Sequence, residues 1–176
     1  MKWISHVLIA GAVCAVFNPM AVPAAVAGST APDWFEFINR AVRRDTRLKH
    51  RGATHYLAVW VIFALAARFV WDWNGWLYWF AIGGAIHWVC DALTVTGAPL
   101  GWWSDRRMTL FGGKVHTGGV SEYFITGIVV LLCAVLIWTK HTAHGGFIPF
   151  FYHWGEYFEK GLIDGFEWRT NRFNVI

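Results

Sequence analysis

Residues 76–96 read WLYWFAIGGAIHWVCDALTVT, an apolar run interrupted by two ionisable side chains, His87 and Asp91. About 20 apolar residues suffice to cross a bilayer as a helix. An ionisable group at membrane depth costs at least about 2.5 kcal/mol on insertion scales, so such a pair marks a functional site by default. At i, i+4 spacing both project from one helix face, and Thr94 shares that face. A histidine and a carboxylate so placed can grip one divalent ion, with the Thr94 hydroxyl steadying the carboxylate from behind. The same pair can equally serve as a hydrogen-bonded strut between helices.

Working outward, Asp72-Trp73-Asn74-Gly75 marks a tight turn, and His55–Trp71 before it is a second apolar run. Val120–Thr139 is a third. Trp71, Trp73, Trp76 and Trp79 crowd the turn as an aromatic belt does at a lipid–water boundary. Composition agrees: the chain is 56% hydrophobic and 15% charged, against a usual charged share of about 25%. Too little polar surface is left to cover a water-soluble chain of 176 residues, and a disordered, collagen-like or disulfide-stapled chain is excluded. Cys14, Cys90 and Cys133 sit singly in apolar segments with no CxxC, which predicts buried free thiols.

The basic residues set a direction. Arg40, Arg43, Arg44, Arg47, Lys49 and Arg51 precede the first span, and Arg106, Arg107 and Lys114 separate the second from the third. The Asp72–Gly75 turn holds none. Both basic loops are therefore expected on the cytoplasmic side. The formal charge of +4 reads as topology rather than as a nucleic-acid surface, and no nucleic-acid partner is expected. At the N-terminus, Lys2, an apolar run and Ala25-Val26-Ala27 are laid out like a secretory signal with a cleavage site. Asn18-Pro19 and Pro23 break that run, however, because proline removes a helix donor. The favoured reading is a helix over Trp3–Phe17 and a shorter limb over Met20–Ala27, entering and leaving by one face. Such re-entrant backbone is tolerated only inside protein or along a wet cavity. The expected fold is all-α and polytopic: a broken N-terminal helix pair, three membrane-spanning helices and an interfacial tail. Residues 1–144 form the membrane-embedded domain, and residues 145–176 form an aromatic amphipathic tail.

Further candidates cluster at the inner ends of these spans. His50-Arg51-Gly52-Ala53-Thr54-His55 carries two histidines around a glycine turn, with Thr54 placed to cap the next helix. Pro32-Asp33-Trp34-Phe35-Glu36 offers Asp33 as a metal ligand or a helix cap. Glu122 opens the third span, where it could ligate metal, act as an acid/base or favour the helix dipole. If the N-terminal run turns back, His6 joins them at the same depth. Three or more imidazoles and several carboxylates at one level read as a metal centre. His116 could approach that level or stay in solvent, while His141, His144 and His153 fall on the far side.

Ser5-His6, Ala31-Pro32-Asp33, His50 through His55, His87 through Gly97 with Asp91 and Thr94, Pro99-Leu100, and Gly118 with Glu122 resemble, in this order, the YdjM-type inner-membrane family, described as membrane-bound metal-dependent hydrolases. The resemblance covers about residues 4–139. The family often reads Pro-Asp-x-Asp after the small-residue limb; here Phe35 holds the second acidic position and Glu36 is the nearest acid. The order of ligands is also similar to that of zinc-dependent phospholipase C and P1-type nucleases, which cleave phosphodiesters. The resemblance implies a divalent metal, zinc by family, held by His6, Asp33, His50 or His55, His87 and Asp91. Glu122 would be a further ligand or general base, and Arg51 would face a phosphate oxygen. The donor types alone would also take Mn, Fe or Ni. The implied activity is hydrolysis of a lipid or other membrane-associated ester or phosphoester in the bacterial inner membrane, with the site facing the cytoplasm. The alternative is a non-catalytic membrane subunit of an envelope or secretion assembly, its metal structural and its tail a protein-binding surface.

Overall fold

The structure, a computed structural model, describes residues 1–43, 52–72, 75–142, 158–162 and 164–166. His50, Arg51, Trp73, Asn74, His144, His153 and most of the tail lie outside the described residues. The N-terminal run does fold back. Helix α1 covers Trp3–Phe17, a 3-10 turn covers Pro19–Ala21, and α2 covers Val22–Arg43. Asn18 leaves helical geometry and Pro19 opens the turn, as a missing backbone donor requires.

The second limb is longer than the sequence suggests. Helix α2 runs straight through Pro32, so Asp33 lies in mid-helix and caps nothing. Tertiary contact outweighs the proline here: α2 packs against α1 and along α4, and helix stability in proteins comes mainly from such packing. Thr54 likewise does not cap α3. A 3-10 turn over Ala53–His55 precedes α3, Leu57–Phe69, whose cap position is Tyr56; the Thr54 hydroxyl goes instead to His55 Nδ1 at 3.1 Å.

After the turn at Gly75, Asp72 accepts hydrogen bonds from the Leu77 and Tyr78 amides at 2.9 and 3.1 Å. It thus satisfies two of the first-turn donors of α4, Trp76–Ala92, that no helix can satisfy internally. The helix stops short of the expected Thr96. Gly97, at φ +64°, turns the chain; a Cβ there would lie 2.6 Å from the Met108 carbonyl oxygen. The segment beyond Gly97 departs from the all-α expectation: strands β1, Ala98–Gly101, and β2, Ser104–Met108, form an antiparallel hairpin pairing Ala98 with Met108 and Gly101 with Ser104. It is clamped to the end of α4, since Trp88 Nε1 donates to the Pro99 carbonyl and the Leu110 amide to the Ala92 carbonyl, both at 2.6 Å.

Helix α5, Val120–Thr142, packs against α1. Its Val120–Thr139 stretch, of mean hydropathy 2.3, is the one helix among the described residues long and apolar enough to cross a membrane. Helices α1 and α3 are shorter apolar helices. Cys14, Cys90 and Cys133 are buried free thiols, as expected.

The tightest packing lies between α2 and α4. A Cβ on Gly28 would fall 1.9 Å from the Phe80 carbonyl oxygen, and one on Gly83 would fall 2.2 Å from that of Ala25. Only hydrogen fits at these two crossings, as at the small-residue interfaces by which membrane helices approach. This contact brings the backbone of α2 within reach of side chains on α4.

Candidate metal centre

Helix α4 carries His87 and Asp91 on its inner face, one turn apart. His87 Nδ1 lies 2.7 Å from the backbone carbonyl oxygen of Ser29 on α2. A carbonyl can only accept, so Nδ1 bears the proton and the ring is held by the Gly28–Gly83 crossing. The other nitrogen, Nε2, then faces two carboxylates: Asp91 Oδ2 at 3.5 Å and Asp33 Oδ1 at 3.9 Å. It is buried with no hydrogen-bond partner among the described residues. A bare imidazole nitrogen facing two carboxylates is an arrangement that could hold a metal ion.

The N-terminal hairpin supplies the next two donors. His6 on α1 stacks on His87 with ring centroids 4.0 Å apart and planes 13° apart. Its Nε2 is 3.6 Å from Asp91 Oδ1, and its Nδ1 is buried without a hydrogen bond among the described residues. Asp33 Oδ1, on α2, is 3.2 Å from His55 Nε2. Burial by itself pushes the Asp33 carboxyl up, but the hydrogen bond with His55 and the electrostatic influence of the two nearby imidazoles outweigh that and hold it below the usual carboxylate range. His55 sits edge-on to His87, with centroids 5.1 Å apart. The three imidazoles are each only 1% exposed, and polar groups so buried need partners. His6, His87 and Asp91 offer one set of ligand atoms within 4.8 Å of one another; Asp33, His55 and His87 offer a second, sharing His87. Asp91 Oδ1 also accepts from the Met1 amine at 2.7 Å.

Glu36 is the acid that sequence spacing left undecided. Phe35 points outward, 37% exposed, while Glu36 is buried with Oε2 3.7 Å from His55 Nδ1. Being one residue on, Glu36 faces inward where position 35 cannot, since successive helical positions are turned apart by 100°. A helical-wheel comparison with Asp33, three residues before it, would have found it.

Other candidates lie elsewhere. The Thr94 hydroxyl donates to the Asp91 backbone carbonyl at 2.6 Å and pairs with Thr96, rather than reaching the carboxylate. His116 is exposed. Glu122 is buried, and both its oxygens are engaged: Oε1 accepts from the Ser5 hydroxyl and, at 2.7 Å, from the Lys2 amide, while Oε2 accepts from the Gly118 amide at 2.7 Å. It ties the start of α1 to the start of α5, next to His6. Glu122→Gln turns one acceptor oxygen into a donor facing another donor. It should lower stability by about 1–3 kcal/mol, visible as earlier thermal unfolding of the detergent-solubilised protein; an unchanged transition would show the clamp to be dispensable.

A cavity of about 520 Å³ opens onto these groups, with His6, Asp33, Glu36, His87 and Asp91 inside and Lys2, Trp3, Phe37 and Thr117 around them. Against this geometry stands one comparison. The family model described as YdjM inner membrane protein matches residues 1–158. The chain belongs to that family. No curated protein and no solved structure matches it. The YdjM match reaches beyond the resembling stretch that ends near Thr139, into the tail. It includes the ligand candidates His6, Asp33, His55, His87 and Asp91, and it identifies the chain as an inner-membrane protein.

Proposed function

We propose that this YdjM protein is a membrane-bound, metal-dependent hydrolase acting on a lipid or other membrane-associated ester or phosphoester. The observation that carries this reading is the bare Nε2 of His87, fixed by the Ser29 carbonyl and aimed between Asp33 and Asp91. Imidazole and carboxylate donors without thiols suit a borderline or hard divalent ion; zinc is the family's expectation. When bound, such an ion supplies Lewis-acid polarisation and acidifies water near neutral pH.

The chain's own residues hold and shape the site. His6, His87 and Asp91 form one ligand set and Asp33 with His55 the other, with His50 a further candidate. The Thr54 hydroxyl at His55 Nδ1 orients that ring, with the Glu36 carboxylate 3.7 Å from the same nitrogen. Glu122 keeps His6 in place through Ser5, and Arg51 is the candidate for a substrate phosphate oxygen. The cavity has a polar interior of carboxylates, imidazoles and the Met1 amine, with Trp3 and Phe37 on its wall 57% and 72% exposed. That combination suits an amphiphile whose polar end reaches the metal while its chain stays with lipid. In this reading α3, α4 and α5 cross the membrane, and the site faces the cytoplasm, on the side of the basic loops.

The test is metal content and hydrolysis of short-chain phospholipid and ester substrates by the purified protein, alongside Asp91→Ala. Bound divalent metal, with turnover lost by at least about 100-fold in Asp91→Ala, supports the reading; full turnover without metal overturns it. Metal bound in a shell closed by four protein ligands, with no turnover, would assign the protein instead to a structural role in an envelope assembly.

A further inference from the structure

The hairpin after α4 plays no part in the candidate metal centre, yet it carries the most conspicuous exposed surface at that end of the molecule. Trp102 and Trp103, at its tip, are 64% and 61% exposed and pack edge to face with centroids 5.1 Å apart. Phe111, in the turn beyond β2, is 87% exposed and holds a left-handed φ of +51°, a backbone cost for a non-glycine residue. Leaving large apolar side chains in water forgoes about 1.5–3 kcal/mol apiece relative to burial. Arg106, Arg107 and Lys114, close to them in sequence, are exposed, and Asp105 is the one acid between residues 98 and 119. Aromatic rings next to cations are what a lipid–water boundary with anionic headgroups accommodates.

The element is held in a fixed position. Besides the Trp88 and Leu110 bonds, the Val95 amide donates to the Val115 carbonyl at 3.1 Å and the Val115 amide to the Leu93 carbonyl at 3.2 Å. These ties reach the last turn of α4, one residue from Asp91, and Thr117 just beyond lines the cavity itself.

We infer that this hairpin and the turn after it form a docking element for anionic lipid, with the two indoles and Phe111 dipping into the leaflet and Arg106 and Lys114 engaging its headgroups beside the cavity mouth. The inference rests on the membrane-embedded part of the proposed function, not on hydrolysis. It predicts that the anionic lipid nearest the cavity is gathered by this element.

The test uses the full chain in nanodiscs with a spin label at Ser104→Cys, the native cysteines being buried, and the ratio of oxygen to nickel-complex accessibility as the readout of depth. In phosphatidylcholine discs containing phosphatidylglycerol, the ratio should exceed that of a water-exposed label severalfold. Arg106→Gln with Lys114→Gln should bring it back to the value in discs of phosphatidylcholine alone. A water-like ratio in both disc types overturns the inference, and so does a label shielded from both reagents by a protein partner. A second label at Leu131→Cys, 64% exposed on α5, reads the bilayer independently: lipid-like there with water-like at 104 defeats the hairpin inference alone, while water-like at both defeats the embedding as well.

Discussion

His87→Ala should reduce bound divalent metal to background, a loss of affinity beyond the 10–100-fold typical of removing a partner that only orients a ligand. Both ligand sets contain His87, so one substitution dismantles the two together. His6→Ala and His55→Ala each leave one set whole and should retain partial metal content. The check is elemental analysis of the three variants purified in parallel with the wild type. A His87→Ala protein that folds and binds metal at wild-type stoichiometry would remove the centre from the proposal. The substitution also leaves the Ser29 carbonyl without its imidazole partner, which is worth about 1–3 kcal/mol, so the metal measurement is made on the monodisperse fraction.

Gly28→Val is expected to have the largest structural effect. Its Cβ would sit 1.9 Å from a backbone oxygen of α4, and backbone cannot swing aside as a side chain can. Overpacking of ordinary cores costs about 1–3 kcal/mol; a clash with main chain on both sides of a helix crossing should reach or pass the upper end. Separation of α2 from α4 would also pull the Ser29 carbonyl away from His87, so metal content should fall with stability even though Gly28 touches no ligand. The measurements are thermal unfolding in detergent and metal content. A variant with both unchanged would show that the crossing tolerates a wider spacing.

Much of the site is legible in the sequence because its signals are local. The i, i+4 spacing of His87 and Asp91 needs only the helical period. Asn18-Pro19 announces the break that lets His6 and Asp33 reach one cavity. What sequence alone misreads depends on contacts between distant segments. Pro32 looks like the start of a helix, yet α2 passes through it, packed against α1 and α4. The hairpin is hidden because Ala98-Pro99-Leu100-Gly101 has neither alternation nor β-branched residues; its pairing is stabilised by Trp88 and the end of α4. Glu36 was a matter of helical phase. Glu122 offered a metal, acid/base or dipole reading by position, and its three donors come from Lys2, Ser5 and Gly118, two of them more than a hundred residues away in the chain.

That last arrangement bears on biosynthesis. Ser5 and Lys2 are made before the carboxylate that fixes them, which is 117 and 120 residues downstream. Closing so long a stretch is slow compared with forming neighbouring helix pairs. Until Glu122 is made, α1 can be held only by its other contacts, those with α2 and α4. A nascent chain arrested before Glu122 would lack the acceptor that Lys2 and Ser5 share, next to His6.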